Sequence, residues 1–269
     1  MTGRLWLVLG ASFALPGMAA AAPAVPRIAI IIDDLGYQLE AGQRSIDLPG
    51  PVACAILPGT PRATLLAEAA FANGKEVLLH LPLEAMSEDR PTEPGAILLD
   101  MDRDQLASAF SANLKSVPHA IGVNSHRGSL LTRHPGHMAW LMEEIHTHGN
   151  LVFVDSYTTH KSVALQLAKE TGVPAVKRDV FLDPDRSPET VAREFRRLKE
   201  LAKKRGTAVG IGHPYPTTLA LLEREIPKLR DEGIELISIN ELVLLKHKQL
   251  TGNAVLATGP VSRASEEMR

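Results

Sequence analysis

Short apolar runs recur along the chain, most ending abruptly in a polar or charged residue and leading into a stretch with helical spacing. They are Ile28 to Ile32, Val52 to Leu57, Glu76 to Leu81, Ala120 to Val123, Leu151 to Val154, Ala175 to Lys177, Thr207 to Ile211 and Ile234 to Ile239. Several are apolar without alternation, the pattern of a parallel strand buried on both faces. Strands alternating with helices build right-handed βαβ units. Eight repeats of that unit predict one α/β domain over residues 27–245, a barrel, regular or distorted, with an open doubly wound sheet as the alternative.

Local signals place the helices. Thr60-Pro61 offers an N-cap followed by proline at the first helical position, and Asn73-Gly74 closes that helix. Ser187-Pro188-Glu189 starts a longer one, with Val191, Phe195, Leu198 and Leu201 on one face. It ends at Lys203-Lys204-Arg205-Gly206, whose charges complement the helix dipole. The longest irregular stretch, Glu84 to Asp104, holds Pro91, Pro94 and Gly95; a loop of that length inside a domain is expected to serve a site, here as a wall of a substrate groove.

Both ends fall outside the repeating pattern. Arg4, an apolar stretch from Leu5 to Leu15, Pro16-Gly17 and the alanines up to Ala22 read as a secretory signal peptide over residues 1–22, too short for a stable membrane span. The protein is therefore expected to be secreted across the inner membrane and to be periplasmic. Residues 246–269 lose periodicity and are expected to form a disordered tail. A net charge of −2 without a domain-sized basic field excludes nucleic acid as an expected partner. Cys54 is the single cysteine, so an exported chain has no intramolecular disulfide framework, and within its apolar run it reads as a core residue.

Candidate chemistry gathers where the runs stop. The first ends in Asp33 and Asp34, adjacent like charges that repel unless a cation or proton lies between them. The later runs lead to His80, to Asn124-Ser125-His126, to Asp155-Ser156, to Arg178-Asp179, to His213 and to Asn240. In a parallel barrel all these ends share one rim. Neutral imidazoles with a carboxylate are a common donor set for a catalytic divalent metal, so Asp34, His80 and His126 are the expected metal ligands, with zinc favoured. Glu84 follows His80 across Pro82 and reads as a loop charge or supporting acceptor before a ligand. His134 and His137, and His146 and His148, sit near helix ends and read as surface or capping residues.

Taken together, RIAIIIDDLG, LLHLPLE, AIGVNSHRGS, FVDSYTT, RDVFLD and AVGIGHPYPTTL, in this order and spacing, resemble the divergent polysaccharide deacetylase family, a branch of the carbohydrate esterase superfamily. The resemblance covers Arg27 to Leu245. It implies a distorted (β/α) barrel of seven or eight mostly parallel strands in a single domain. It further implies Asp33 as catalytic base, Asp34 as metal-binding aspartate, His80 as first metal histidine and His213 as the late general acid. Where the superfamily has the second histidine of its metal motif, this chain has Glu84, and His126 would replace that ligand.

The expected activity is metal-dependent removal of acetyl groups from an N-acetylated polysaccharide or oligosaccharide, with Asp155 and Arg178 orienting the base and the acid. The alternative is a catalytically weak or inactive carbohydrate-binding accessory protein of the cell envelope. Aromatic residues make up 4% of the chain, leaving Trp140, Tyr157 and Tyr215 as candidates to stack on sugar faces. A serine hydrolase is a distant third, because no G-x-S-x-G elbow is present.

Overall fold

The apolar runs do become parallel strands, and β1, β3, β4, β5 and β8 extend further at their carboxyl ends than periodicity alone indicates. The computed structural model describes residues 25–86 and 93–257, with side chains up to residue 249. Strands β1 (Arg27–Leu35), β2 (Ala53–Ile56), β3 (Val77–Leu83), β4 (Ala120–Arg127), β5 (Val152–Asp155), β6 (Ala175–Lys177), β7 (Val180–Phe181) and β8 (Thr207–Gly212) form one sheet in the order β6-β5-β4-β3-β2-β1-β8-β7, every pair parallel. The sheet curls into a half-barrel, a distorted β/α barrel in which β6 and β7 are not paired with each other.

Two expectations shift. The run Ile234 to Ile239 yields only β9 (Glu235–Leu236), a short strand beside Arg27 and Ile28 of β1 and off the main path. The sheet's last strand is instead β7, two residues long and beyond the reach of periodicity. Helix α8 (Ile239–Ala257) also crosses the boundary expected at Lys246, because buried Leu242 and Val243 anchor it to the sheet and the helix runs on from there. Residues 258–269 of the expected tail, and the signal-peptide stretch 1–22, lie outside the described residues.

Alternating positions on the strands feed two cores. Ile28, Ile30, Ile32, Cys54, Ile56, Leu79, Leu81 and Phe153 face the surrounding helices. Among these helices are α1 (Leu39–Ile46), α2 (Ala63–Ala72), α3 (Arg103–Ser116) and α4 (Pro135–Thr147), with α5 (Ala164–Thr171), α6 (Pro188–Arg205) and α7 (Pro216–Glu225). The other face carries Ala29, Ile31, Ala53, Ala55, Leu78, Val152, Val154, Val209 and Ile211, and packs on the start of α8. Glu76 accepts from the backbone N–H groups of Ile239 and Asn240, which fixes the start of α8 at the amino end of β3. Asn240 thus lies at the opposite end of the sheet from the other rim candidates.

The local signals hold with one adjustment. Ser187 caps α6 by accepting from the Thr190 N–H. Thr60 does not cap α2: its hydroxyl donates to the Leu57 carbonyl and the helix begins at Ala63. Asp102 supplies a capping box for α3. Among the described residues no helix is long and apolar enough to cross a membrane.

Candidate metal centre and active site

The inner face of the half-barrel changes from apolar to polar along each strand. Side chains on one face recur every second residue. Hence Ala29 and Ile31 are followed by Asp33, Leu78 by His80, Gly122 by Asn124 and His126, Val154 by Ser156, Val176 by Arg178, and Ile211 by His213. The amino half of this face is filled by α8. The carboxyl half opens into a cavity of about 620 Å³ lined by Asp33, Asp34, His80, His126, Arg178 and His213 among others.

Strict alternation would turn Asp34 away from Asp33. A bulge prevents it: β1 advances from Ile32 to Leu35 while β2 advances only from Cys54 to Ile56. Asp34 takes the extra position with φ 59°, left-handed backbone that aspartate tolerates better than most residues. Both carboxylates therefore line the cavity.

Asp34 is the centre of a three-atom cluster. Its Oδ1 lies 3.1 Å from His80 Nε2 and 3.0 Å from His126 Nδ1, and these two ring nitrogens are 3.0 Å apart. Donors bound to one divalent ion at about 2.0–2.1 Å stand roughly 2.9–3.4 Å from one another, so the separations fit a shared cation. The hydrogen-bond pattern fits as well. His80 Nδ1 donates to Asn124 Oδ1 at 2.9 Å, and Asn124 Nδ2 donates to Asp33 Oδ1 at 2.7 Å, which leaves Nε2 as the ring nitrogen that faces Asp34, where a proton or a cation can lie between them.

The charges agree with that reading. Burial works to raise the Asp34 carboxyl, but the bonds from His126 and His80 outweigh it and hold it well below the usual carboxylate range. Burial likewise opposes the charged form of His80, yet Asp33 and Asp34 together push the imidazole up to about 9. An ionised carboxylate between two imidazoles is a place for positive charge. His126 Nε2 is buried without a partner, so no second hydrogen bond fixes the tautomer of that ring as Asn124 fixes His80.

Asp33 and His213 complete the cavity. Burial raises the Asp33 carboxyl, against the charges of His80 and His213. His213 Nδ1 donates to Asp183 Oδ1 at 2.9 Å, while Asp183 Oδ2 accepts from the His213 backbone N–H and the Thr218 hydroxyl, both at 2.7 Å. His213 Nε2 is left 3.7 Å from Asp34 Oδ2. Burial lowers this imidazole's affinity for a proton, but the bond to Asp183 and the charge of Asp33 outweigh it and its pKa is raised.

Not every expected residue takes the place foreseen for it. Asp155 has the wrong parity for the inner face, and its carboxylate accepts from the Tyr157 N–H at 2.8 Å and the Ser162 hydroxyl at 2.7 Å. It holds the turn after β5 and touches neither Asp33 nor His213. Arg178 lines the cavity, but its guanidinium donates to the carbonyls of Ser156 and Tyr157. The residue that orients His213 is Asp183, which follows Val180-Phe181-Leu182 as Asp33 follows its own apolar run; that parallel was the available signal.

Other candidates have structural partners. Glu84 accepts from the Leu99 N–H, His137 contacts the Met101 carbonyl and His148 the Glu144 carbonyl. Burial pushes the Cys54 thiol up to about 12, which suits a core residue. None of the described residues of the stretch 84–104 lines the cavity.

A parallel half-barrel with an Asp/His cluster at its carboxyl end, able to hold a metal, defines the class: an α/β protein with a candidate metal centre at the carboxyl rim of its sheet. The chain belongs to the divergent polysaccharide deacetylase family, which it matches over residues 30–243. It is 33% identical over 217 residues to the uncharacterized protein YibQ of Escherichia coli (strain K12), covering 81% of this chain and 67% of that one. Among solved structures it is similar to the uncharacterized protein ATU2773 from Agrobacterium tumefaciens C58, with a TM-score of 0.78, 22% identity, and coverage of 84% of this chain and 92% of that one. It shares its fold more distantly with a family 4 carbohydrate esterase from Streptomyces lividans in complex with acetate, at a TM-score of 0.50 and 13% identity, covering 80% and 94% of the two chains.

Proposed function

We propose that this protein is a metal-dependent hydrolase that removes acetyl groups from an N-acetylated polysaccharide or oligosaccharide of the cell envelope. The observation that carries the reading is the convergence of Asp34, His80 and His126, with Asp33 and His213 lining the same cavity. A divalent cation held by these three residues, zinc being favoured by the imidazole–carboxylate donor set, would supply Lewis acidity for the acetyl carbonyl and for water.

The chain's own residues supply the proton transfers. Asp33, kept in place by Asn124 and made more basic by burial, takes a proton from the attacking water as its oxygen bonds to the acetyl carbon. His213, protonated and oriented by Asp183, gives the Nε2 proton to the sugar nitrogen as the C–N bond breaks, leaving acetate and a free amine. Export to the periplasm through the stretch 1–22 places this activity beside envelope polymers, and cell fractionation of the full chain checks that part.

Acetate release from acetylated chitooligosaccharides or peptidoglycan fragments, with zinc, cobalt or manganese supplied in turn, tests the reading. Turnover that disappears in Asp33→Asn supports it. No acetate with any of the three metals, or an undiminished rate in Asp33→Asn, defeats it; tight oligosaccharide binding without product then identifies the accessory-protein alternative.

A further inference from the structure

Polysaccharide grooves commonly offer open aromatic faces to sugar rings, and in this cavity the aromatic faces are taken by cations. Phe181 and Tyr215 are the phenyl-type rings among the cavity's lining residues. The Arg178 guanidinium lies over Phe181 at 5.0 Å, and that of Arg186 over Tyr215 at 4.0 Å. Tyr215 is also stacked against His213, with ring centroids 5.4 Å apart and planes at 24°. Outside the cavity lining, Lys177 Nζ lies 3.8 Å above the ring of Tyr157. Trp140, on α4, is partly buried against the main core and contacts His137. Tyr157, Tyr215 and Trp140 are therefore not open platforms.

The cations over these rings are not held in close ion pairs, although Arg178 and Lys177 feel the charge of Asp155. The carboxylates lining the cavity are engaged elsewhere: Asp33 by Asn124, Asp34 by His80 and His126, Asp183 by His213 and Thr218, and Asp185 by Ser187 and Thr190. Among the described residues, no carboxylate lies within ion-pair distance of Lys177, Arg178 or Arg186. Arg178 is partly buried and bound to carbonyls, whereas Arg186 is exposed on the loop before α6. A guanidinium held flat on a ring keeps its in-plane N–H groups free, and these match an anionic oxygen group in a two-pronged geometry.

From this arrangement we infer that the site selects an anionic amino-sugar chain, with a carboxylate or other anionic oxygen group close to the acetamido group that is attacked, and that Arg186 reads that charge. The inference rests on the deacetylase reading for the bond that is cleaved, but not for the binding preference. Because Arg186 stacks on Tyr215 and Tyr215 on His213, the anionic group sits on the side of the cavity where the amine departs. Recognition by charge replaces recognition by stacking, which agrees with the scarcity of aromatic residues.

The test compares matched oligosaccharides with the metal-loaded protein: neutral chitotetraose, a muramic-acid-containing tetrasaccharide, its carboxyl-reduced counterpart, and a chitotetraose carrying 6-phosphate groups. Binding of the same four is measured by calorimetry in Asp33→Asn. A charge-assisted contact predicts that kcat/KM and affinity favour the anionic ligands by about tenfold or more, and that the preference weakens as salt is raised. The preference shrinks toward unity in Arg186→Gln and is partly kept in Arg186→Lys. The carboxylated and phosphorylated arms decide which anion is preferred. Equal handling of neutral and anionic ligands, or a preference untouched in Arg186→Gln, overturns the inference and leaves deacetylation standing. Anionic preference in binding with no acetate release supports the inference and removes the deacetylase reading; no binding of any ligand overturns both.

Discussion

Asp183 accepts the Nδ1 proton of His213 at 2.9 Å, and its second oxygen ties down the backbone of the same histidine. The pair is the inward end of a short ladder, β7 beside β8, and it fixes both the direction of the ring and the tautomer that leaves Nε2 facing the cavity. Asp183→Asn weakens the stabilisation of the imidazolium. Loss of a well-placed general acid costs about 10²–10⁴ in rate, so kcat for acetate release is expected to fall by about 10² or more. Circular dichroism should meanwhile report a folded protein. A rate within threefold of the parent excludes the assignment of Asp183 as the orienting residue.

The pH profile follows from the two raised groups. Asp33 must be ionised to act as base, and burial lifts its carboxyl above the ordinary value, so activity falls as the pH drops through that raised value. His213 must be protonated to act as acid, and its raised pKa keeps the proton above the ordinary imidazole value of about 6.5. The expected plot of log kcat/KM is a bell whose acid limb lies above that of a surface aspartate and whose alkaline limb lies above pH 6.5. An alkaline limb below about 6.5 contradicts the charge arrangement around His213.

Metal content is measurable without any substrate. Asp34→Ala, His80→Ala and His126→Ala each remove one of three converging donors, and each is expected to weaken divalent-metal binding by about 10² or more, on the scale by which even supporting residues alter affinity 10–100-fold. The readout is metal stoichiometry after purification without chelator. A second readout is the rise in unfolding temperature on adding zinc, which ligand linkage requires of any metal bound to the native state alone. Full metal content in all three variants rejects the site.

Asn124 joins the base to the metal ligand, since its amide nitrogen bonds Asp33 and its oxygen bonds His80. Asn124→Leu leaves a buried carboxylate oxygen and a buried ring N–H without partners, at about 1–3 kcal/mol each. Urea unfolding should register that destabilisation. Metal affinity should fall together with it, by about 10–100-fold, because the His80 tautomer is no longer fixed.

Gly122 lies on the inner face where β4 meets β5. A Cβ there would stand 2.5 Å from Val152 Cγ2 and 2.7 Å from the Val152 carbonyl oxygen. The carbonyl belongs to the β4–β5 ladder and cannot step aside without disturbing the pairing of Gly122 with Val152. Gly122→Ala is expected to cost about 1–3 kcal/mol, read as a lower urea midpoint. An unchanged midpoint would show that the inner face is more loosely packed than described.

Periodicity and strand-end chemistry determined much of this protein before any coordinates. Ile28 to Ile32 ending in two aspartates announces a buried parallel strand with a site at its tip, and His80, His126 and His213 follow at the ends of later runs for the same reason. Tertiary structure decided which of those tips meet. Asp155 and Asp183 both follow apolar runs, yet strand parity turns Asp155 toward the turn after β5, while Asp183 reaches His213 from the two-residue edge strand β7, which only the sheet order sets beside β8. The bulge that brings Asp34 round to the cavity is likewise invisible in the alternation it breaks. Hydrophobic spacing is a property of neighbouring residues in sequence, whereas the bond from Asn124 to Asp33 joins positions 91 residues apart, and only the order and register of the strands places one beside the other.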